Sequence, residues 1–580
     1  MTGMMAVLSA LGLLSFFGYF HYLTQRQKMS IFMAPVFIIT CITGIMHFAG
    51  ILNILQLTWL ALLCGGLYCL WIQRRELTLR MFHGYGLPLL LLLLLLGYLL
   101  YYIWDGLYPN GDSMTHWGIV ARSIVYEDRF PNFMNKDVLY QSYPLAVAVW
   151  CYTVLRFIGY SEAHVMFAKG LWILACAASL YTLNRGRSKW GYALITLLAF
   201  YVMRSPHDLR VDILLGLVTG SGLLMISEQR HSAKGILYTL IPFLIVIPLI
   251  KNSGLLFVLF LMLAAAYALR RGESRKTAFR YTVLFGLVAL LSFYLWYAHS
   301  KLVYEDANMT RHALSMGSIQ MVTRYRTWAD VQVIWTGFVR KWFAYNQSLE
   351  WIVLPLFLVI MALAWKKHDK HKAILHLALC LLCCYALHKL SLFLMYALNM
   401  HEVDIRINGY ERYQETFSII VLYVSLWAGF EFGVFEKKDN PRCIPAVSYS
   451  AVLLSMLLIL SQVSWANIQR PNYQDDTVHR TLYRMIQSPD TPLAVGQKVI
   501  VHHSDYFTNI YTRFTFENPD IDKHWNIDAV REALETNKEN YQYLIILEHD
   551  EEIKALLKAF SYPEDAQIIP LKVQEDAQEK

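Results

Sequence analysis

Long apolar segments alternate with short basic clusters along most of this chain. The clearest apolar segment, Leu87–Trp104, is long enough to cross a bilayer. Seven clusters of Lys and Arg punctuate these segments, and the positive-inside rule predicts that all seven face the cytoplasm. The pattern then predicts fourteen spans, with both termini outside. The predicted spans are residues 4–22, 31–48, 54–72, 87–104, 163–183, 190–204, 211–228, 235–250, 253–269, 281–299, 349–365, 373–395, 417–435 and 445–465.

The apolar segment Pro144–Tyr160 does not fit this alternation. If it crossed the membrane, the later basic loops would lie outside. The segment is short for a span, and Arg156 lies near its end. We therefore predict a juxtamembrane or re-entrant helix on the outer side.

The predicted outer face carries the long loops at residues 105–161 and 300–349. The second of these has the aromatic and basic pattern of an amphipathic helix lying on the membrane, either gating a cleft or serving as a structural cover. The tail from Asn467 is also outside, and its apolar runs predict strands at Lys498–Val501, Tyr543–Leu547 and Ile568–Val573. Helical patterns at Ile527–Glu535 and Glu551–Phe560 separate the runs, which predicts a small α/β domain.

Composition agrees with a polytopic membrane protein. Of the 580 residues, 56% are hydrophobic and 16% are charged, whereas soluble chains are about 25% charged. The net charge is +8, but the tail from Asn467 carries 20 acids against 12 bases, so the remainder is strongly basic. Basic loops of a membrane protein explain that excess, and no motif of a nucleic-acid-binding protein is present.

Candidate chemistry begins in the first outer loop, at Asp112. An acid at the mouth of a helix bundle is costly to desolvate, and its carboxylate can act as a general base toward an acceptor hydroxyl or amine. Asp112 follows Asn110-Gly111, which predicts a turn ahead of a helix over Ser113–Val125. The alternative interpretation is that Asp112 only caps that helix.

A second group of polar residues precedes the span at 211–228. Asp212 enters the membrane with its helix, and an intramembrane acid is a candidate functional residue. His207 and Asp208 offer imidazole and oxygen ligands that, with Asp212, would suit a divalent cation such as Mg or Mn. A helix cap with a surface Asp–Arg pair is an equally good explanation of this segment.

A third group lies later in the chain, at the outer start of the span 417–435. The guanidinium of Arg412 matches phosphate oxygens, which beside a span would belong to a lipid carrier. Tyr413 next to it fits either that role or an interfacial belt. Lys251 lies between two spans on the outer side, where it either faces an anionic headgroup or extends toward water.

In their order along residues 85–435, these motifs resemble the GT-C superfamily of polytopic glycosyltransferases, in particular the protein mannosyltransferase and lipid A aminoarabinose transferase branch. The resemblance rests on order rather than on any single motif, and Ser113 stands where that family usually has a second acid. The matching segments are Gly111-Asp112, Ala121-Arg122, Phe130-Pro131, Tyr143-Pro144, Gly159, Ala168-Lys169, Arg204 through Asp212-Ile213-Leu214-Leu215, and Arg412-Tyr413.

The resemblance implies an all-α membrane fold of about fourteen helices with a small C-terminal α/β extracytoplasmic domain. Residues 1–84 would form N-terminal transmembrane helices, 85–466 the catalytic module, and 467–580 the extracytoplasmic domain. The implied reaction moves a sugar from a polyprenyl-phosphate donor to a glycan, lipid or protein acceptor on the outer face of the plasma membrane. Metal dependence stays open, and no nucleotide or redox cofactor is expected.

The resemblance also implies roles for individual residues. Asp112 would deprotonate the acceptor, and Asp212 would support the donor or a metal ion with His207 and Asp208. The lipid phosphate would be bound by a separate set of residues. This set comprises Arg412, Tyr413, Arg122, His116 and Lys251.

Three other functions fit parts of the sequence. A transporter or flippase for lipid-linked sugars also needs a charged cavity among many spans, but such proteins usually show repeated halves, and no repeat is visible here. An oligosaccharide ligase or polymerase would place key residues in a large late outer loop, which residues 300–349 can supply. A non-catalytic scaffold would leave the Asp112 loop unexplained.

Overall fold

The computed structural model describes most of the chain, which forms two compact units. One unit contains Met1–Trp104, Val120–Phe133 and Tyr140–Arg470, and the other contains Asp105–Ile119, Met134–Leu139 and Pro471–Lys580. The described residues are 2–77, 79–135, 138, 140–184, 189–203, 206, 208–304, 316–344, 349–367, 371–400, 406–434, 478–503, 508–516, 527–537 and 540–571.

The described part of the first unit contains helices and no strands. Short helical turns at Tyr22–Arg26, Leu79–Phe82 and Leu180–Leu183 join some of its helices. In chain order, and with α5 entering the unit at Val120, the helices are α1 (Thr2–His21), α2 (Ala34–Ile51), α3 (Leu55–Ile72), α4 (Gly86–Ile103), α5 (Gly118–Glu127), α6 (Ala146–Ile158), α7 (Glu162–Ser179), α8 (Lys189–Val202), α9 (Asp212–Gln229), α10 (Ala233–Ile250), α11 (Gly254–Gly272), α12 (Arg275–Val303), α13 (Met316–Thr323), α14 (Trp328–Trp342), α15 (Glu350–Lys367), α16 (His371–Leu398) and α17 (Tyr410–Glu431).

Many apolar helices confirm a membrane-embedded protein, but the predicted count of fourteen spans is not confirmed. Within the described ranges, nine helices are long and apolar enough to cross a membrane, namely α1 to α4, α7, α10 to α12 and α16. Of the other predicted spans, α8 has only 14 residues and α15 carries Glu350 and two lysines. Helix α9 begins with Asp212, α17 carries Glu411 and Arg412 in its first turn, and both contain polar side chains. The predicted span 445–465 lies outside the described residues.

The segment that did not fit the alternation forms the short helix α6. Its 13 residues rise about 20 Å, less than the roughly 30 Å of a hydrocarbon core. Residues Ala146–Leu155 are all buried. At its far end Arg156 pairs with Asp128 at 3.3 Å, and Tyr152 donates a hydrogen bond to the same carboxylate at 2.6 Å. Its length agrees with a helix that does not span the bilayer.

Helices α9 and α17 approach each other closely because glycine faces the neighbouring backbone. A methyl group built on Gly216 would lie 2.5 Å from the carbonyl oxygen of Thr416. One turn later, a methyl group on Gly220 would lie 2.6 Å from the ring of Tyr423. Small residues that permit close backbone approach are typical of helix contacts in membranes. This contact fixes the first turn of α9 beside the first turns of α17.

We expect Gly216→Leu to destabilise the protein by about 1–3 kcal/mol, because overpacking a tight contact forces helices apart. Gly97→Leu is the matched control, since Gly97 is a helical glycine with open space around it. Thermal unfolding in detergent measures both variants. A Gly216→Leu variant as stable as Gly97→Leu would contradict the close approach.

The second unit contains a small three-stranded sheet, which confirms a sheet near the C-terminus. The strands are β1 (Val499–His502), β2 (Tyr543–Ile546) and β3 (Ile568–Pro570), in the order β1-β2-β3. Strand β1 is parallel to β2, with Val499 opposite Tyr543, and β3 is antiparallel to β2. The helices of this unit are α18 (Val478–Gln487), α19 (Thr508–Phe516), α20 (Ile527–Glu535) and α21 (Glu551–Ala559).

Two parts of the first predicted outer loop, Asp105–Ile119 and Met134–Leu139, belong to this second unit rather than to the helical one. The ring of Tyr108 lies 5.5 Å from that of Phe514 in α19, measured between centroids. A π-helical turn at Ser113–Trp117 also packs against α19. The Asp112 loop and the C-terminal domain therefore form one compact unit. The predicted boundary near residue 467 did not include this loop.

Candidate functional site

A buried carboxylate flanked by two cations lies where α9, α11 and α17 begin. Lys251 Nζ donates a hydrogen bond to Asp212 Oδ1 at 2.6 Å, and Arg412 Nε lies 3.3 Å from Asp212 Oδ2. The Asp212 side chain is 5% exposed, that of Lys251 11% and that of Arg412 26%. The structure thus brings together three charged residues that are distant in the sequence.

Each of these side chains is positioned by the start or end of a helix. Asp212 is the first residue of α9, and Lys251 follows the last residue of α10 in an extended conformation. Arg412 is in the first turn of α17. This helix begins directly after Gly409, whose φ of +75° favours glycine. The hydroxyl of Thr416 donates to the backbone oxygen of Asp212 at 3.1 Å. Helices α9 and α17 are therefore joined at the charged group itself.

Aromatic rings border the two cations. Lys251 Nζ lies 4.3 Å from the ring centroid of Tyr413, and Arg412 donates a hydrogen bond to the Tyr413 hydroxyl at 3.2 Å. Burial raises the pKa of Tyr143 well above its usual range, and the nearby Tyr413 and Asp212 add to that rise. Tyr143 therefore stays protonated and able to donate a hydrogen bond.

The charges of this group favour an anion as its ligand. Two cations share one carboxylate, and removing a partner from a buried ion pair is costly because a charge is left without compensation. An incoming phosphate oxygen can take over part of the coordination that Asp212 gives to Arg412. Arg and Lys form strong, charge-assisted hydrogen bonds to phosphate.

A neighbouring network holds the segment that leads into α9. The buried Lys169 of α7 donates to the backbone oxygens of Asp208 and Arg210, the latter at 2.7 Å. Arg210 in turn donates from Nε to Asp208 Oδ2 at 2.6 Å and from its backbone N–H to Oδ1 at 2.9 Å. The pair of Asp208 and Arg210 is therefore present, as expected from the alternative explanation of this segment that involves no metal ion.

The predicted metal site receives no geometric support from the residues that can be described. His207 lies outside them, and the Asp208 carboxylate is occupied by Arg210. Among the described residues, no group of three or more His, Cys, Asp or Glu side chains is placed to hold a metal ion. The metal site of His207, Asp208 and Asp212 therefore stays a prediction.

The ion pair of Asp208 predicts a pH dependence of stability. Burial opposes ionisation, but hydrogen bonds from Arg210 and the charge of Lys169 outweigh it and lower the pKa of Asp208 to about 2 from 3.8. A depressed pKa stabilises the folded state above the unfolded-state pKa, and that contribution, about 2 kcal/mol, is lost as pH falls from about 5 toward 2.

We therefore expect Asp208→Asn to reduce the loss of stability between about pH 5 and pH 3, the part of this window in which a membrane protein can be handled. Chemical unfolding at a series of pH values measures this difference. Asp490→Asn, an exposed acid, serves as the control. Identical pH profiles for wild type and Asp208→Asn would contradict the assignment.

The remaining predicted residues lie in the first outer loop and in α5. Asp112 has helical backbone angles and makes no capping hydrogen bond. Asn110 Oδ1 instead accepts from the Ser113 backbone N–H at 3.0 Å, so capping does not explain Asp112. His116 is buried, and burial lowers its pKa to about 3, so it would meet a phosphate as a neutral imidazole. Arg122 is buried in α5 within the first unit.

One buried ion pair was missed by the sequence analysis. Lys389 in α16 lies 2.9 Å from Glu350 at the start of α15, and the two side chains are 5% and 2% exposed. The available signal was a single lysine inside the apolar run 373–395, which marks a candidate functional residue in a membrane helix. Glu350 was overlooked because it lies at the edge of a predicted span.

No protein-family model, curated protein or solved structure matches this chain. The resemblance to GT-C glycosyltransferases therefore rests on the order of the motifs alone.

Proposed function

We propose that this chain is a membrane glycosyltransferase that moves a sugar from a polyprenyl-phosphate donor to an acceptor. The observation that carries the proposal is the pairing of Lys251 and Arg412 around the buried Asp212, at the ends of helices. A donor anchored in the bilayer presents its phosphate at headgroup level, where helices end. Two fixed cations there would bind that phosphate and stabilise it as it leaves.

The proposed reaction is a direct displacement. The Asp112 carboxylate accepts the proton of the acceptor hydroxyl or amine, which attacks the anomeric carbon of the sugar. The bond between that carbon and the phosphate oxygen breaks, and its electron pair stays on the oxygen. The products are the glycosylated acceptor and a polyprenyl phosphate carrying one more negative charge, which Lys251 and Arg412 stabilise.

The proposed topology has fourteen spans in the plasma membrane, with the Asp112 loop and the C-terminal domain outside. Its support is the basic-cluster pattern, together with the placement of that loop and that domain in one unit. In a cysteine-free background, Glu127→Cys and Glu552→Cys should react with an impermeant thiol reagent in intact cells, and Glu273→Cys should not. All three positions are exposed. Labelling of Glu273→Cys from outside would contradict this topology.

Binding of the lipid carrier tests the function. Native mass spectrometry of the full-length protein should show retention of polyprenyl phosphate but not of the uncharged polyprenol of equal length. Lys251→Met should weaken phosphate retention, whereas Lys301→Met, at an exposed lysine of α12, should not. Equal retention of the phosphate and the alcohol would contradict a phosphate site.

A further inference from the structure

The buried pair of Lys389 and Glu350 lies in an aromatic enclosure between helices. Lys389 Nζ donates to Glu350 Oε1 at 3.1 Å and also to the hydroxyl of Tyr410. Its ammonium lies 5.0 Å from the ring centroid of Trp342 and 5.3 Å from that of Tyr385. Burying both charges carries a desolvation penalty that offsets their attraction. Stabilisation of the fold alone is therefore a weak explanation of this ion pair.

The acidic partner is held by a chain of hydrogen bonds. Trp342 Nε1 donates to the Tyr385 hydroxyl at 2.8 Å, and that hydroxyl donates to Glu350 Oε2 at 3.1 Å. The chain joins the end of α14, the middle of α16 and the start of α15. The ion pair therefore occupies a defined position relative to three helices.

Lys389 connects this assembly to α17. Tyr410 is the first residue of α17, and Arg412 follows two positions later. The preceding turn is tied to the same assembly, because the Tyr396 hydroxyl donates to the backbone oxygen of Asn408 at 2.8 Å. The ring of Phe338 in α14 also meets that of Tyr410 edge-on, at 5.4 Å between centroids. The first turn of α17 thus has one side on this assembly and the other on Asp212.

We propose that Lys389 is a positioning residue, which holds the first turn of α17 through Tyr410 and so places the Arg412 guanidinium against Asp212. The effect of Lys389 on ligand binding rests on the proposed function, in which Arg412 binds the phosphate. The mechanical link between Tyr410 and the Asp212 group does not depend on any ligand. The two parts are therefore tested separately.

The mechanical link is tested by a double-mutant cycle on the unfolding temperature of the full-length protein without ligand. Tyr410→Phe removes only the hydroxyl that Lys389 binds, and Asp212→Asn weakens the contact with Arg412. We expect the combined shift to be smaller than the sum of the single shifts, because the first change already loosens the second contact. If Asp212→Asn does not fold, Arg412→Met takes its place in the cycle, since it removes the other partner of the same contact.

The same helix offers a matched control cycle. The Tyr423 hydroxyl, three turns later in α17, donates to the backbone oxygen of Cys176 at 2.9 Å. Tyr423→Phe removes one buried hydroxyl in the same way but far from Arg412, so its shift should add to that of Asp212→Asn. Additive shifts in the Tyr410 cycle as well would overturn the proposal.

The effect of Lys389 on ligand binding is tested with an apolar replacement of the ion pair. The double variant Glu350→Leu/Lys389→Met should keep an unfolding temperature close to that of wild type, since well-packed apolar residues often replace buried ion pairs without loss. Its affinity for polyprenyl phosphate should nevertheless fall on the order of tenfold. Unchanged affinity in this stable variant would overturn a positioning role. If wild type itself binds no polyprenyl phosphate, the proposed function fails, and the Tyr410 cycle alone decides this inference.

Discussion

Arg412→Met is expected to lower the rate of sugar transfer by about 10²–10³-fold, the usual effect of removing one preorganised donor at a developing anion. The guanidinium is 26% exposed and touches Asp212 and Tyr413, so it can reach both the buried carboxylate and a ligand. Methionine keeps the length and apolar character of the side chain but supplies no charge. Initial rates with a labelled polyprenyl-phosphate sugar measure the effect.

Arg324→Met provides the control for Arg412→Met, because it removes an exposed arginine from the predicted outer face. We expect it to leave the rate unchanged. Arg412→Lys should recover only part of the activity, since a lysine cannot make the two parallel hydrogen bonds of a guanidinium. An Arg412→Met enzyme with the wild-type rate would exclude Arg412 from the phosphate site.

Asp112→Asn is expected to reduce turnover by about 10²–10⁴-fold while leaving the affinity for polyprenyl phosphate unchanged. The amide keeps the shape of the side chain but is not basic, so the acceptor would not lose its proton. Asn110, not Asp112, accepts the hydrogen bond from the Ser113 backbone N–H, so the substitution leaves that bond in place. Single-turnover rates and a binding isotherm separate the two effects.

Asp105→Asn is the matched control for Asp112→Asn, since Asp105 is an exposed acid of the same unit. Its φ of +52° is a conformation that asparagine also tolerates. We expect wild-type turnover from this variant. Retained turnover in Asp112→Asn would remove the base from the proposed reaction.

The sequence was most informative about elements whose signal is local. Apolar runs of span length located the helices, and α20 has the predicted bounds Ile527–Glu535. Strands β1 and β2 fall within one residue of the predicted runs, and β3 begins at the predicted Ile568 but ends at Pro570 rather than Val573. Short β-rich segments between turns carry their own signal. The count of fourteen spans is not confirmed, since α9 and α17 carry charged residues in their first turns and bury much of their surface against other helices.

The candidate site was predictable only in part, because contacts between distant helices are set by packing. Charged residues at predicted outer helix ends pointed to Asp212 and Arg412. That Lys251 reaches Asp212, rather than extending toward water, depends on how α9 and α10 pack. The pair of Glu350 and Lys389 depends on three helices meeting, and neither residue shows its partner in the sequence.

The central claim is that the cations around Asp212 serve the breaking of a sugar–phosphate bond. Its most direct test uses a polyprenyl-phosphate sugar that carries one label on the sugar and another on the lipid. Both labels are followed in proteoliposomes that contain the full-length protein and an extract of membrane acceptors. We predict that the sugar label leaves the lipid and appears on an acceptor, and that Arg412→Met prevents this. If the sugar instead crosses the bilayer still attached to its lipid phosphate, the protein is a transporter and the account is contradicted.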